Sequence, residues 1–278
     1  MSKPEILTVA KLWPPYLEEL QQTYVVHDRT HELDAAAFAQ IAPRIKAIAG
    51  GGESQVTRAL MDQLLALEMI SVFGVGYDRY DVATAQADKY VREGKWPSGP
   101  LPLARKVTGA RLGIVGLGRI GSAIARRAAS FDMSISYTSR NKVADSPYAY
   151  YPTPAALAAE VDFLMVITPG GAGTKGLINA EVLSALGSKG YLINVARGSV
   201  VDESALITAL QNNVIAGAAL DVFENEPHVP AALCAMTNVV LAPHVASATW
   251  QTRRAMADLA FGNLQAHFAG KPLLTPVP

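Results

Sequence analysis

The stretch "GIVGLGRIG", residues 113–121, constrains the fold more than any other part of the chain. Gly116, Gly118 and Gly121 have the spacing G-x-G-x-x-G. The stretch leaves an apolar run, "LGIVG" (112–116), and enters a helical one, "RIGSAIARRAAS" (119–130). In that context each glycine has its own task. Gly116 permits a tight turn. Gly118 lets the backbone approach a pyrophosphate. Gly121 lets the helix pack closely on the strand. The phosphates then rest on exposed N–H groups and on the positive end of the helix dipole. Three glycines alone can simply be a turn; it is the strand before and the helix after that give the nucleotide reading its context.

The rest of the chain agrees. "EILTVA" (5–10), "TYVVHD" (23–28), "IKAIAG" (45–50) and "MISVFG" (69–74) read as buried strands, with helical spacing between them in "YLEELQQ", "AAAFAQIA" and "VTRALMDQLLAL" (56–67). A second series comprises "LGIVG", "SISYTS" (134–139), "DFLMVIT" (162–168), "GYLINVA" (190–196), "AGAALDV" (216–222) and "NVVLAPH" (238–244). Strands apolar on both faces, alternating with helices, predict two doubly wound α/β units. The link between them is read at 94–109, where three prolines and three glycines interrupt any period. A long helix is expected at about 249–269.

Charge and cysteine content narrow the function classes. Lys+Arg and Asp+Glu both number 24, which gives no electrostatic reason to expect nucleic acid or an anionic membrane. Cys234 is alone, so no intrachain disulfide can form and a reducing cytoplasm is expected. No apolar run approaches the ~20 residues that cross a bilayer, and the N-terminus lacks the apolar core of a signal peptide.

"ISYTSRNK" (135–142) shows which dinucleotide is expected. After the second strand of such a unit an acid usually meets the ribose 2′-hydroxyl of NAD. Here Ser139, Arg140, Asn141 and Lys142 occupy that place. A hydroxyl donor, a guanidinium fork and a second cation suit a 2′-phosphate, which an acid would repel. NADP(H) is therefore expected over NAD(H); the bland alternative is a solvated basic loop.

Three later segments carry titratable groups at the ends of apolar strands, the edge where open α/β sheets bind ligands. Arg197 follows "LINVA", Glu226 follows "AALDVFEN" and His244 follows "VVLAP". An Arg can hold a carboxylate and polarise a neighbouring keto oxygen. A His can donate a proton to that oxygen, and a carboxylate beside the imidazole favours its charged form. The alternatives are a strand-end cap for Arg197, an exposed turn for Glu226 and a satisfied histidine under the last helix for His244. No metal ligand set is read.

"GIVGLGRIG", "INVARGSVVDE", "ALDVFENEP" and "LAPHVAS" resemble the signature segments of the D-isomer-specific 2-hydroxyacid dehydrogenases. "ISVFGVGYDRYDV" and "AHFAGKPLLTPV" resemble the hydroxyphenylpyruvate, hydroxypyruvate and glyoxylate reductase branch. The resemblance implies a Rossmann nucleotide-binding domain plus a flavodoxin-like substrate domain, with a cleft between them. On it, residues 1–87 are the first part of the substrate domain. Residues 88–248 are the NADP-binding domain with its linker, and 249–278 return to the substrate domain. It implies Arg197, Glu226 and His244 as the catalytic set and places Asp221 near the nicotinamide carboxamide. Gly116, Gly118, Arg119, Ile120, Gly121, Thr168, Pro169, Val195 and Ala196 join the 139–142 loop as cofactor positions. Gly50, Gly51 and Gly52, with Arg197 and His244, are read as substrate positions; an ordinary turn is the alternative for the glycines. Trp96 is expected either against a partner subunit in a homodimer or in its own core.

One departure stands out. Between "DVATAQA" (81–87) and "DKYVREG" (88–94) relatives are expected to carry about thirty more residues, including a helix between the domains. The expected function is NADPH-preferring reduction of small 2-keto acids to D-2-hydroxy acids. The alternatives are a dinucleotide-sensing protein of the corepressor type and a member inactivated by the deletion near 87/88.

Overall fold

In this computed structural model every strand pairing among the described residues is parallel, and those strands form two separate sheets. The structure describes residues 3–51, 56–73, 87, 90–101 and 105–276. The chain divides into two compact units, Met1–Gly76 with Ser247–Pro278, and Tyr77–Ala246. The junction near 87/88 and Gly52 fall largely or wholly outside the described residues.

The first unit holds β1 (Glu5–Thr8), β2 (Val25–Asp28), β3 (Ile45–Gly51) and β4 (Met69–Phe73), in the order β2-β1-β3-β4. Its helices are α1 (Pro14–Thr23), α2 (Thr30–Leu33), α3 (Ala35–Ile41) and α4 (Arg58–Met61), joined by the chain's last helix, Trp250–Phe268. Successive residues largely serve opposite faces, and a register shift against β1, between the Glu5–Ile45 and Ile6–Ala47 pairs, puts Ile45 and Ala47 on different faces. Ile6, Ala47 and Ala49 pack with Tyr16 and Leu20 of α1 and with Ala257, Ala260 and Leu264 of the last helix. Leu7, Ile45 and Ile48 pack with Phe38 of α3 and with Leu60 and Leu64.

The expected helix over 56–67 is cut short at Met61. Beyond it, Gln63, Leu64 and Leu67 donate to carbonyls three residues back, so the chain continues as turns. That shift leaves Leu65 84% exposed. Apolar spacing alone does not separate these two local solutions.

Among its described residues the second unit holds seven strands: β5 (Arg111–Val115), β6 (Ser134–Thr138), β7 (Ala149–Tyr150), β8 (Phe163–Val166), β9 (Tyr191–Asn194), β10 (Gly217–Leu220) and β11 (Val239–Leu241). Their order is β11-β10-β9-β8-β5-β6-β7. The chain turns back between β8 and β5, and a ligand crevice opens at such a reversal. Helices α5 (Arg119–Ala129), α6 (Pro154–Ala158), α7 (Ala180–Leu186), α8 (Glu203–Gln211) and α9 (Ala231–Ala235) belong to this unit, and the last helix is α10. Leu112, Ile114 and Tyr137 meet Ala125 and Ala128 of α5 on one face. Leu164, Val166, Leu192 and Ala218 meet Leu183 and Leu206 on the other.

At the opposite sheet edge from the glycine turn, Asp162 ties the linker to the sheet. It accepts from Arg111 N–H at 2.9 Å and Arg111 Nη2 at 2.7 Å, and pairs with Arg105 Nη2 at 2.7 Å. The Arg111 guanidinium chiefly holds this carboxyl below the usual carboxylate range. Among the described residues, no helix is long and apolar enough to cross a membrane.

Candidate active site

The glycine turn behaves as its sequence requires. A Cβ on Gly121 would lie 2.1 Å from the carbonyl oxygen of Gly116, so only hydrogen fits there. Gly116 itself takes φ +108°, open chiefly to glycine. A Cβ on Gly118, by contrast, would meet nothing within 4 Å. Among the described residues, five helices, α3, α6, α7, α8 and α10, have an N-cap side chain that accepts a first-turn N–H. Helix α5 begins at Gly118 with no side-chain cap, so its first N–H groups are left for a ligand. Thr168 adds a buried Oγ1 that meets no protein partner, and its methyl group would touch a Cβ on Gly116. Uncapped donors, open space over Gly118 and an orphaned hydroxyl beside the turn fit a dinucleotide pyrophosphate.

The loop after β6 is built to present side chains outward. Tyr137 Oη accepts from Val143 N–H at 2.9 Å, and Ser139 Oγ donates to the Asn141 carbonyl at 2.6 Å. These bonds fold the loop back on itself and leave Arg140, Asn141 and Lys142 exposed.

Three neighbouring strands carry the titratable groups. Arg197 follows β9, Asp221 directly follows β10, and His244 follows β11. Since the order runs β11-β10-β9, all three lie along one C-terminal edge. Glu226 and His244 meet: Nδ1 of the imidazole is 2.8 Å from Oε2 of the carboxylate. The other carboxylate oxygen accepts Phe223 N–H at 2.9 Å, which fixes the glutamate side chain. Arg197 is exposed, and its Nη1 donates to the Ala196 carbonyl at 2.6 Å. The loop after β8 touches its stem, because a Cβ on Gly170 would come within 3.0 Å of Arg197 Cγ. Pro169 sits exposed in that loop, and Val195 and Ala196 are buried beside Arg197.

Elsewhere, Gly50 and Gly51 end β3 in the first unit, and Gly52 lies outside the described residues. Trp96 is 67% exposed, which removes the expectation that it fills its own core. Asn194 was not singled out from the sequence, yet it is 1% exposed and hydrogen-bonded to the backbone around Arg197. The only signal was a lone amide ending the apolar run "YLIN".

Residues 82–246 match the NAD binding domain of the D-isomer specific 2-hydroxyacid dehydrogenases, and residues 6–91 match their catalytic domain. The chain belongs to that family. Family membership makes it an NAD(P)-dependent oxidoreductase acting between 2-hydroxy acids and 2-keto acids. It is similar to the hydroxyphenylpyruvate reductase of Plectranthus scutellarioides, with 44% identity over 270 residues, covering 85% of this chain and 86% of that one. The 2-ketogluconate reductase of Gluconobacter oxydans is 40% identical over 310 residues, with 99% of each chain covered. That alignment has more positions than the 278 residues of this chain, so the relative carries residues with no counterpart here. Among solved structures, an NADPH-dependent glyoxylate/hydroxypyruvate reductase from Sinorhizobium meliloti, in complex with NADP and malonate, superposes with a TM-score of 0.88. Its identity is 43%, and the match covers 99% of this chain and 97% of that one.

Proposed function

We propose that the protein is an NADPH-preferring reductase of small 2-keto acids, in the class of glyoxylate, hydroxypyruvate and hydroxyphenylpyruvate, and that it yields the D-2-hydroxy acid. The observation that carries this reading is the 2.8 Å contact between His244 Nδ1 and Glu226. A carboxylate on Nδ1 fixes the ring's orientation and leaves Nε2 to serve as donor to the substrate oxygen. Arg197 holds the substrate carboxylate by paired N–H groups and polarises the keto carbon. Bound NADPH supplies the hydride that reduces that carbon. The first turn of α5, with Arg119 and Ile120, holds the pyrophosphate, and Ser139, Arg140, Asn141 and Lys142 hold the 2′-phosphate. The NADP dependence of the Sinorhizobium relative supports the cofactor choice.

In this reading residues 88–248 form the nucleotide domain, residues 1–87 and 249–278 form the substrate domain, and Gly50, Gly51 and Gly52 serve the substrate. The working form is a cytoplasmic homodimer, with the exposed Trp96 at its interface. The test is a spectrophotometric assay of NADPH and NADH, separately, against the three keto acids. Faster turnover with NADPH is expected. No turnover with any pair would refute the reductase reading, and equal or better rates with NADH would refute the cofactor choice alone.

A further inference from the structure

The backbone around His244 poses a physical problem. His244 takes φ +51°, in the left-handed region that side chains other than glycine rarely adopt. Such a residue persists where its surroundings over-determine it. Here one buried side chain does so. Asp221, 1% exposed, accepts Val245 N–H on Oδ1 at 2.7 Å and Ala246 N–H on Oδ2 at 3.0 Å. Its own carbonyl accepts His244 N–H at 2.9 Å. One residue thus receives three consecutive N–H groups of the turn that bears the imidazole.

The neighbouring strand repeats the device. Asn194, also 1% exposed, accepts Ala196 N–H on Oδ1 at 3.1 Å, and its Nδ2 donates to the Arg197 carbonyl at 3.2 Å. The two are joined directly, because Asp221 N–H donates to the Asn194 carbonyl at 3.0 Å. A continuous chain of hydrogen bonds therefore runs from the Arg197 backbone through Asn194 and Asp221 to the His244 backbone. A buried charge is costly unless fully hydrogen-bonded, and this one is held by charge-assisted bonds to peptide N–H groups.

We propose that Asn194 and Asp221 form a positioning ledge that sets the placement of Arg197 relative to His244. The proposal rests on the roles given to those two residues above. It assigns Asp221 a task beyond the contact with the nicotinamide carboxamide implied by the family resemblance. Exchanging Asp221 for Asn turns one acceptor into a donor facing a peptide N–H. Exchanging Asn194 for Asp keeps the acceptor for Ala196 and removes the donor to Arg197.

The single variants His244→Ala and Arg197→Ala first test the underlying roles; wild-type turnover in either rejects those roles and leaves the ledge to be judged structurally. For the ledge, Asp221→Asn is expected to lower kcat about 10- to 100-fold, the scale of an ångström-sized misplacement. In Asn194→Asp, at a residue given no cofactor contact, NADPH affinity read by fluorescence should stay near wild type while kcat falls. In the His244→Ala background Asp221→Asn should add little, because residues acting through one another are not additive. Asn194→Asp should behave likewise against Arg197→Ala, and it carries the test if Asp221→Asn does not fold. Three results would each overturn the proposal. One is a loss of NADPH affinity in Asn194→Asp in step with kcat/KM while kcat is kept. Another is full additivity in both cycles. The third is a crystal structure of Asp221→Asn with the His244 turn and its Glu226 contact unmoved.

Discussion

Gly198 offers a severe test of how tightly the Arg197 and Glu226 segments are packed together. It opens the short 3₁₀ turn Gly198–Val200, directly after Arg197. A Cβ there would lie 1.9 Å from both the carbonyl carbon and the oxygen of Phe223, and 2.4 Å from Glu224 N. Carbon atoms rest at about 3.5 Å, so Gly198→Ala forces one segment back by roughly 1.5 Å. No rotamer change relieves it, because every atom struck is backbone. If the 198 segment yields, Arg197 moves. If the 223 segment yields, Glu226 moves, since Phe223 N–H anchors its carboxylate. Misplacement on this scale costs about 100-fold in rate. Overpacking against backbone should also cost about 3 kcal/mol. For a unit of this size that lowers the melting temperature by roughly 6–12 °C. The assay is kcat/KM for glyoxylate with NADPH at 25 °C, beside a thermal melt. Gly173→Ala serves as control, because its Cβ would enter open space. If Gly198→Ala keeps wild-type kcat/KM and melts with the control, the packing argument is wrong.

Other outcomes follow from the same geometry. Gly118→Ala should weaken NADPH binding with little change in melting temperature, whereas Gly121→Ala should lower the melting temperature through the Gly116 carbonyl; binding titrations and melts separate the two. Arg140→Ala should reduce the NADPH-over-NADH ratio of kcat/KM by about tenfold or more, the worth of a charge-assisted bond of ~1.5–3 kcal/mol; an unchanged ratio would leave the loop without a cofactor role. Acid should destabilise the second unit. Hydrogen bonds from Arg111 hold the Asp162 carboxyl low, and the Ala205 N–H and the Ser204 hydroxyl do so for Asp202. A group whose value is lowered by folding contributes stability that is complete above the ordinary carboxylate range and disappears as pH falls through the lowered value. Melts between pH 7 and 3 should show this decline, and Asp162→Asn should flatten it.

Much of this was written in the sequence, and the reasons differ by feature. Every apolar run read as a strand is one, because strands buried on both faces must be apolar at successive positions. The two-residue β7 carried no such run and was missed. The titratable residues were legible because each interrupts the end of an apolar strand. The ledge beneath them was not. Asp221 meets Val245 and Ala246, more than twenty residues away, through peptide groups that no side-chain pattern reveals. Asn194 looked like the polar end of a strand, and only the folded chain shows both ends of its amide in use.

The first unit is assembled from segments on either side of the second in the chain, and this orders its birth on the ribosome. Residues 77–246 emerge complete and can fold while the sheet before them still lacks one of its covers. Ile6, Ala47 and Ala49 await Ala257, Ala260 and Leu264, which are translated only after the whole second unit. Until then one greasy side of a nascent sheet stands bare while the second unit is already finished. Truncation within α10 should therefore produce a chain that retains a folded middle and clings to holdase chaperones by its beginning.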